Sequence, residues 1–96
     1  MKPSDSFRAH WQALREIVSR HGLVRPRVFG SAARGDDHEG SDLDLLVEPV
    51  PTTTLFTLAA LQIDAERLLG VPVDVLTPKS LPRASREKIL SEAIPV

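Results

Sequence analysis

Apolar residues in the first part of the chain recur with the period of a helix. Five of them, separated by steps of four, three, three and one, share one helical face: Phe7, Trp11, Leu14, Ile17 and Val18. Ser4 or Asp5 can cap the start of such a helix, and Gly22 is a natural stop at its end. The pattern predicts an amphipathic first helix whose apolar face, with Trp11 as a core anchor, packs against the rest of the fold.

Three shorter apolar runs are typical of strands, and they lie at residues 24–29, 42–48 and 71–76. Successive side chains of a strand point to opposite faces. In the second run this alternation puts Leu43, Leu45 and Val47 on one face, and it puts Asp42 and Asp44 together on the other. We expect the leucine and valine face to be buried and the aspartate face to be open.

The connections between the runs predict the directions of the strands. Residues 31–41 are too few for a parallel crossover with a full helix, so the first two strands should be antiparallel neighbours. Residues 49–70 hold a helical pattern from about 55 to 69 that ends at Gly70, which suits a right-handed crossover to a parallel third strand. Pro26 favours an edge position or a late start of pairing for the first strand.

The tail from residue 81 to 94 is predicted to be helical, and Pro95 ends it. Together the elements predict the α/β fold class, with a small mixed sheet of three or four strands and helices packed on it. A length of 96 residues predicts a single domain, 1–96.

Composition excludes several classes of function. The net charge of −1 disfavours a dedicated nucleic-acid binder, which usually carries a basic excess. The absence of cysteine excludes disulfides and thiolate zinc sites. Neither a signal peptide nor a membrane-spanning run is visible, so a soluble cytoplasmic protein is expected.

The most distinctive polar residues flank the short connection between the first two strands. Gly30 and Ser31 form a turn at the end of the first strand, and Asp42 and Asp44 open the second. Antiparallel pairing would bring that turn beside the two carboxylates. A parallel third strand would start at the same end of the sheet, which lets Asp74 approach the pair.

These residue types suit a magnesium-dependent transfer involving phosphates. Mg²⁺ prefers oxygen ligands and usually takes one or two carboxylates together with substrate phosphates. Asp42 and Asp44 are suited to bridging two such ions, and Asp74 can complete the ion that activates an attacking hydroxyl. Gly30 lets the backbone approach a triphosphate, and Ser31 can offer its hydroxyl and amide to a phosphate oxygen where a short helix begins.

The motif also resembles a known family. Residues 30–48 read G-S-A-A-R-G-D-D-H-E-G-S-D-L-D-L-L-V-E, and a later segment reads V-P-V-D-V-L. This combination resembles the DNA polymerase beta-like nucleotidyltransferase superfamily, and in particular its small MNT-type (minimal nucleotidyltransferase) members, over nearly the whole chain. The resemblance implies a small palm-like α/β domain.

The resemblance also implies roles for individual residues. Gly30 and Ser31 would hold the triphosphate of ATP. Two magnesium ions would be bound by Asp42 and Asp44, and Asp74 would serve the catalytic metal. Arg34 matches an arginine often found after the Gly-Ser pair, where it contacts phosphate or braces the loop.

Many MNT-type proteins are encoded beside a HEPN-domain ribonuclease toxin. The resemblance therefore implies an antitoxin that transfers AMP from ATP to a tyrosine of a partner HEPN toxin and forms a hetero-oligomer with it. Direct contact with nucleic acid or a membrane is not expected.

Other interpretations stay open at this point. Asp42, Asp44 and Asp74 can be ordinary exposed strand residues, and Arg34 can be a solvated helix residue. The fold can also serve as a non-catalytic antitoxin that blocks its partner by steric contact. A third alternative is a nucleotidyltransferase subunit that modifies a small molecule in a pocket supplied by another chain.

Overall fold

The computed structural model describes the whole chain, residues 1–96, as a four-stranded mixed sheet with helices on both faces. Its helices are α1 (Pro3–Arg20), α2 (Gly30–Arg34), α3 (Leu55–Leu69) and α4 (Arg86–Glu92), with one 3₁₀ turn at Pro78–Ser80. Its strands are β1 (Val24–Phe29), β2 (Leu43–Glu48), β3 (Val73–Leu76) and β4 (Ile94–Pro95), in the spatial order β3-β2-β1-β4. The predicted α/β class with a three- or four-stranded mixed sheet is confirmed, with four strands.

The strand directions also follow the prediction. β1 pairs antiparallel with β2, and β2 pairs parallel with β3 after the crossover through α3. The tail differs from the predicted helix over residues 81–94. Only Arg86–Glu92 is helical, and Ile94 and Pro95 pair antiparallel with Val28 and Arg27 of β1 as the fourth strand.

The larger core lies between the sheet and the pair α1 and α3. Leu43, Leu45 and Val47 of β2 are fully buried there, as the alternation of side chains predicted. The opposite face of the sheet holds a smaller cluster in which Phe29 and Leu46 pack with residues of the tail. The tail covers Leu46 on this face of β2. Asp44, two residues earlier on the same face, is only partly covered.

The start and middle of α1 depart from the prediction. His10 has φ −130° and ψ 21°, which are not helical angles and kink the helix between Phe7 and Trp11. Because the kink breaks the helical period at that point, Trp11 is 41% exposed and does not anchor the core. Neither Ser4 nor Asp5 caps the helix, whose first residues are held by Asp37 instead.

Pro26 is accommodated by a β-bulge and not by an edge position, because β1 lies between β2 and β4. Val24 pairs with Glu48 and Arg27 pairs with Leu46, so β1 carries one more residue than β2 over this stretch. The bulge frees Pro26 from donating a ladder hydrogen bond. It also leaves Arg25 with φ +51°, a positive value that no other non-glycine residue of the chain adopts.

Helix α3 has the bounds that its apolar pattern and flanking residues predict. Thr54 caps its start, because its hydroxyl accepts from the amide of Thr57, and Gly70 ends it in the left-handed conformation. The helix returns the chain to the end of the sheet where β2 begins, so β3 starts beside Asp42 and Asp44. None of the helices has the length and apolar character needed to cross a membrane.

Candidate functional site

Gly30 and Asp44 meet where β1 passes into α2. Phe29 pairs with Asp44 across the antiparallel ladder, which brings the next residue of β1 against the aspartate side chain. Gly30 has φ +74°, and a Cβ at this position would overlap the carboxylate oxygen Oδ2 of Asp44. The site therefore requires glycine here both for its backbone conformation and for the space that Asp44 occupies.

Three carboxylates gather at this end of the sheet. Asp74 lies directly across from Asp44 in the parallel β2–β3 pair, and Asp42 comes just before β2. The electrostatics reflect the crowding. Burial, followed by the negative charges of Asp74 and Asp42, raises the pKa of Asp44 to about 6, and the Arg34 guanidinium only partly opposes this. The structure thus brings the three predicted aspartates together, and the positive charge of Arg34 only partly balances their negative charge.

The carboxylate oxygens at this end of the sheet are the type of ligand that a magnesium ion prefers. No three acidic or histidine side chains of the chain are spaced to enclose a metal ion by themselves. Mg²⁺ does not require such a cage, because it usually binds through one or two carboxylates while substrate phosphates and water complete its shell. Burial, together with the charges of Asp74 and Asp42, raises the pKa of Asp44 to about 6, and a divalent cation would stabilise its charged form. The residues present therefore fit a substrate-assisted magnesium site.

Ser31 and Arg34 lie on α2, directly after Gly30. The Ser31 carbonyl accepts hydrogen bonds from the amides of Gly35 and Asp36, while its hydroxyl makes no hydrogen bond within the chain and stays available. Arg34 Nε donates to Asp36 at 3.1 Å, and its Nη1 lies 4.0 Å from Glu92 of α4. The guanidinium is 52% exposed and close enough to lower the pKa of Asp44.

Two further residues hold the site together and were not identified from the sequence. Asp37, in the loop between α2 and β2, is only 6% exposed, and its Oδ2 accepts the Ser4 amide at 2.8 Å. Glu66 of α3 accepts the amide of Val73 at 3.0 Å, which fixes β3 one residue before Asp74. Neither residue carries a local sequence signal. The partner of Asp37 is distant in the chain, and the partner of Glu66 lies beyond the turn that follows α3.

Burial alone raises the pKa of Asp37, but hydrogen bonds from the Ser4 amide and hydroxyl and from its own amide outweigh that effect. With the nearby charge of Lys2 they leave the pKa below its usual value. Asp37 is therefore ionised in the folded protein. It ties the loop between α2 and β2 to the start of α1, and this loop connects Gly30 and Ser31 to Asp42.

The site is open and has no pocket of its own. Three concave surfaces of about 360, 260 and 290 Å³ exist in the structure, and the six predicted site residues line none of them. Two of these surfaces lie at the opposite end of the sheet, near Glu48, and the third lies along α1 and α3. The carboxylates therefore lie on an open surface of this chain.

Residues 8–96 match the family described as the nucleotidyltransferase domain. A Methanocaldococcus jannaschii protein, provisionally named a protein adenylyltransferase, is 41% identical over 80 residues, which cover 83% of this chain and 86% of the relative. The protein adenylyltransferase MntA of Thermococcus cleftensis is 36% identical over 86 residues, covering 90% of this chain and 84% of the relative.

A solved structure described provisionally as a minimal nucleotidyltransferase superposes with a TM-score of 0.86 at 46% identity and covers 97% of this chain and 95% of its own. A toxin–antitoxin crystal structure with AMP-PNP superposes with a TM-score of 0.71 at 20% identity, covering 83% of this chain and 66% of its own. At that identity the second structure indicates a shared fold.

Proposed function

The chain belongs to the nucleotidyltransferase domain family and is a nucleotidyltransferase, and we propose that it moves AMP from ATP to a hydroxyl group of a partner toxin. One observation carries the proposal. A glycine turn that tolerates no Cβ lies against Asp44, and Asp42 and Asp74 crowd the same carboxylate. This combination offers a close backbone approach for phosphates next to a concentrated negative charge that binds cations.

In this proposal the triphosphate lies along the turn at the start of α2. Gly30 permits the close approach, and the unpartnered hydroxyl of Ser31 donates to a phosphate oxygen. Arg34 contributes a positive charge to the phosphates by leaving its exposed contacts with Asp36 and Glu92. Because both of these contacts are exposed and one is 4.0 Å long, the cost of releasing the guanidinium is small.

Asp42, Asp44 and Asp74 would hold two magnesium ions together with the phosphates of ATP. The ions would neutralise charge on the phosphates and favour attack by an oxygen nucleophile. The chain's own contribution is to fix the carboxylates. Asp44 is set by the paired β1 and β2 strands, and Asp74 by its register with Asp44 and by the bond from Val73 to Glu66.

The reaction itself is a substitution at the α-phosphorus of ATP. The acceptor oxygen forms a bond to this phosphorus while the bond to the bridging oxygen of the β-phosphate breaks, and pyrophosphate leaves with the electron pair. The acceptor hydroxyl loses its proton to solvent, and Asp74, which is exposed on the edge strand β3, would help to hold the ion that favours this loss. Positioning and charge stabilisation supply most of the rate in transfers of this kind.

We further propose that the acceptor is a tyrosine of a HEPN toxin and that this chain is its antitoxin. Residues 1–96 contain no tyrosine, so a tyrosine acceptor lies outside them. The open site suits a macromolecular acceptor that brings its own support. The names of the two relatives refer to protein adenylylation, which favours a protein over a small molecule. In this proposal residues 1–96 act as one catalytic domain in the cytoplasm.

The test is to incubate the purified chain with ATP, Mg²⁺ and the protein encoded by the adjacent gene, and to measure the intact mass of both proteins. We expect the partner to gain AMP, the modified residue to be a tyrosine, and the catalytic chain to stay unmodified. The double variant Asp42→Asn with Asp44→Asn should transfer nothing. A partner that stays unmodified with the unaltered chain would contradict adenylylation.

Growth of cells that express the partner distinguishes catalysis from steric blocking. Under the proposal, the double variant fails to relieve toxicity although it still binds the partner. Full protection by the double variant would instead support a non-catalytic antitoxin. AMP incorporation into hydroxylated small molecules, with none into the partner, would support a small-molecule nucleotidyltransferase.

A further inference from the structure

Three arginines surround a concave surface at the end of the sheet opposite Gly30 and Asp44, where β1 begins and β2 ends. The surface has a volume of about 290 Å³. We call it the arginine cavity, and it is lined by Arg15, Arg25, Pro26, Arg27, Pro95 and Val96. It shares no residue with the candidate site.

The arginine cavity carries an excess of positive charge. Glu48 Oε2 accepts from Arg27 Nη2 at 3.2 Å and lies 3.1 Å from Arg25 Nε, so a single carboxylate oxygen serves two guanidinium groups. Arg15 makes no ion pair with any side chain. Among the side chains at the cavity, three guanidinium groups therefore face one carboxylate.

Arg27 is the most enclosed of the three arginines and has a donor without an acceptor. Its side chain is only 13% exposed, and its Nε is buried with no hydrogen-bond partner. An unpaired buried donor costs free energy, and the Arg27 side chain must move before this donor can reach a ligand in the cavity. Pro26 and Pro95 have no amide hydrogen, so the guanidinium groups are the main donors that this cavity offers to a ligand.

Arg25 is held in a strained conformation that the strand pairing does not require of an arginine. Its φ of +51° falls at the bulge created by the extra residue of β1. Glycine would adopt this backbone conformation at lower cost, whereas an L-residue with a long side chain is disfavoured there. Strain of this sort concentrates at binding sites, where contacts between the side chain and the ligand can offset its cost.

We propose that the arginine cavity binds the phosphate group of a small anion, either inorganic phosphate or the phosphate of a nucleotide. Guanidinium groups match phosphate oxygens in geometry and charge, and three of them around one cavity can donate to several oxygens at once. The phosphate competes with Glu48 for Arg25 and Arg27. The site is separate from the proposed transfer reaction and does not depend on it.

The test uses the unaltered chain without divalent cations, because the carboxylates of Asp42, Asp44 and Asp74 then repel phosphate from the candidate site. The side-chain Nε–H signals of the arginines are followed by NMR during titration with inorganic phosphate at constant ionic strength. We expect saturable shifts for Arg15, Arg25 and Arg27. Equal shifts with ATP and GTP at lower concentration would assign the ligand to nucleotide phosphates, and shifts with inorganic phosphate alone would assign it to the free ion.

Variants separate binding from folding. Arg25→Gly removes one guanidinium and relieves the strain, so we expect unchanged or higher thermal stability and phosphate affinity at least fivefold weaker. Glu48→Gln removes the competing charge and should tighten phosphate binding severalfold. Arg20→Ala, an exposed arginine of α1 outside the cavity, serves as the control and should leave the affinity unchanged.

Three results would overturn the site. The first is the absence of saturable shifts with any phosphate. The second is an equal loss of affinity in Arg20→Ala and Arg25→Gly, which would mean unspecific attraction. The third is weaker binding in Glu48→Gln, which would mean that the ion pairs build the cavity and do not compete with a ligand.

Discussion

At the scale of single residues, the site depends on a position that has no room for a side chain. Gly30→Ala introduces strain at φ +74° and drives a Cβ into the Asp44 carboxylate. We expect a loss of about 1–2 kcal/mol of stability from the backbone conformation and a fall of roughly 100-fold in nucleotidyl transfer, a typical loss when transition-state stabilisation is disturbed.

Gly22→Ala is the matched control for this change. Gly22 has φ +75°, and nothing lies within 4 Å of its missing Cβ. It should lose a similar amount of stability in thermal unfolding and keep its transfer rate. Equal transfer rates in the two variants would show that the contact between Gly30 and Asp44 has no part in catalysis.

Asp44 should lower the stability of the folded chain and be necessary for the transfer reaction. Its raised pKa, about 6, means that the charged form is disfavoured in the folded protein. At pH 8 without divalent cations, Asp44→Asn should therefore stabilise the chain by about 1 kcal/mol after solvent screening, which is roughly 4–8 °C in Tm for a chain of this size.

The same substitution should lower the transfer rate by roughly 100-fold or more, because a charged group at the reaction centre is lost. Thermal unfolding and an assay of AMP transfer on the same preparation check both effects. A destabilised Asp44→Asn would mean that the carboxylate has favourable partners in the fold that outweigh its burial and the repulsion from Asp74 and Asp42.

At the scale of secondary-structure elements, most of the sheet could be predicted because periodicity and connection lengths act locally. The alternation at Leu43, Leu45 and Val47 gave the buried face, and two connections gave the strand directions. The kink at His10 could not be predicted in this way, since packing overrides the helical period and exposes Trp11. The β4 pairing was missed for a similar reason: two residues carry no periodicity, and their position depends on β1.

The same difference between local patterns and long-range contacts separates the residues of the candidate site that could be predicted from those that could not. Its six residues came from the motif and from the expected strand directions, and five of them follow from only two adjoining elements and their connection. The supporting residues Asp37 and Glu66 could not be found, because each is defined by a backbone amide of another segment that only the folded chain brings near.

Asp37 gives a prediction about the first helix. It replaces the missing side-chain cap of α1 by accepting the Ser4 amide from a loop 33 residues away. Asp37→Asn should cost about 1–2 kcal/mol near neutral pH, as expected for a buried hydrogen bond to a charged group. Asp36→Asn, in a side chain that is 62% exposed, is the control and should have little effect on stability.

The stability supplied by Asp37 should depend on pH in a defined direction. Its pKa is lower in the folded chain than in the unfolded one, so the contribution is present above the unfolded value near 3.9 and is lost as the pH falls through the folded pKa. Denaturant unfolding from pH 7 downward should show the difference between the unaltered chain and Asp37→Asn shrinking over that range. A constant difference would contradict an ionised anchor.

At the scale of the whole molecule, the two ends of the sheet have different characters. One end concentrates three carboxylates beside Gly30, and the other concentrates three arginines around a cavity. The net charge of −1 conceals this separation, which composition alone could not predict. A partner that presents a hydroxyl to the acidic end can leave the arginine cavity open to a small anion.

The most direct measurement of the central claim asks which labelled phosphate of ATP becomes covalently attached to protein. The chain is incubated with Mg²⁺, the protein encoded by the adjacent gene, and ATP labelled at either the α- or the γ-phosphate. We predict covalent label on the partner from the α-phosphate alone, and none when Asp44→Asn replaces the unaltered chain. Label from the γ-phosphate, or equal α-label with Asp44→Asn, would contradict nucleotidyl transfer at these carboxylates.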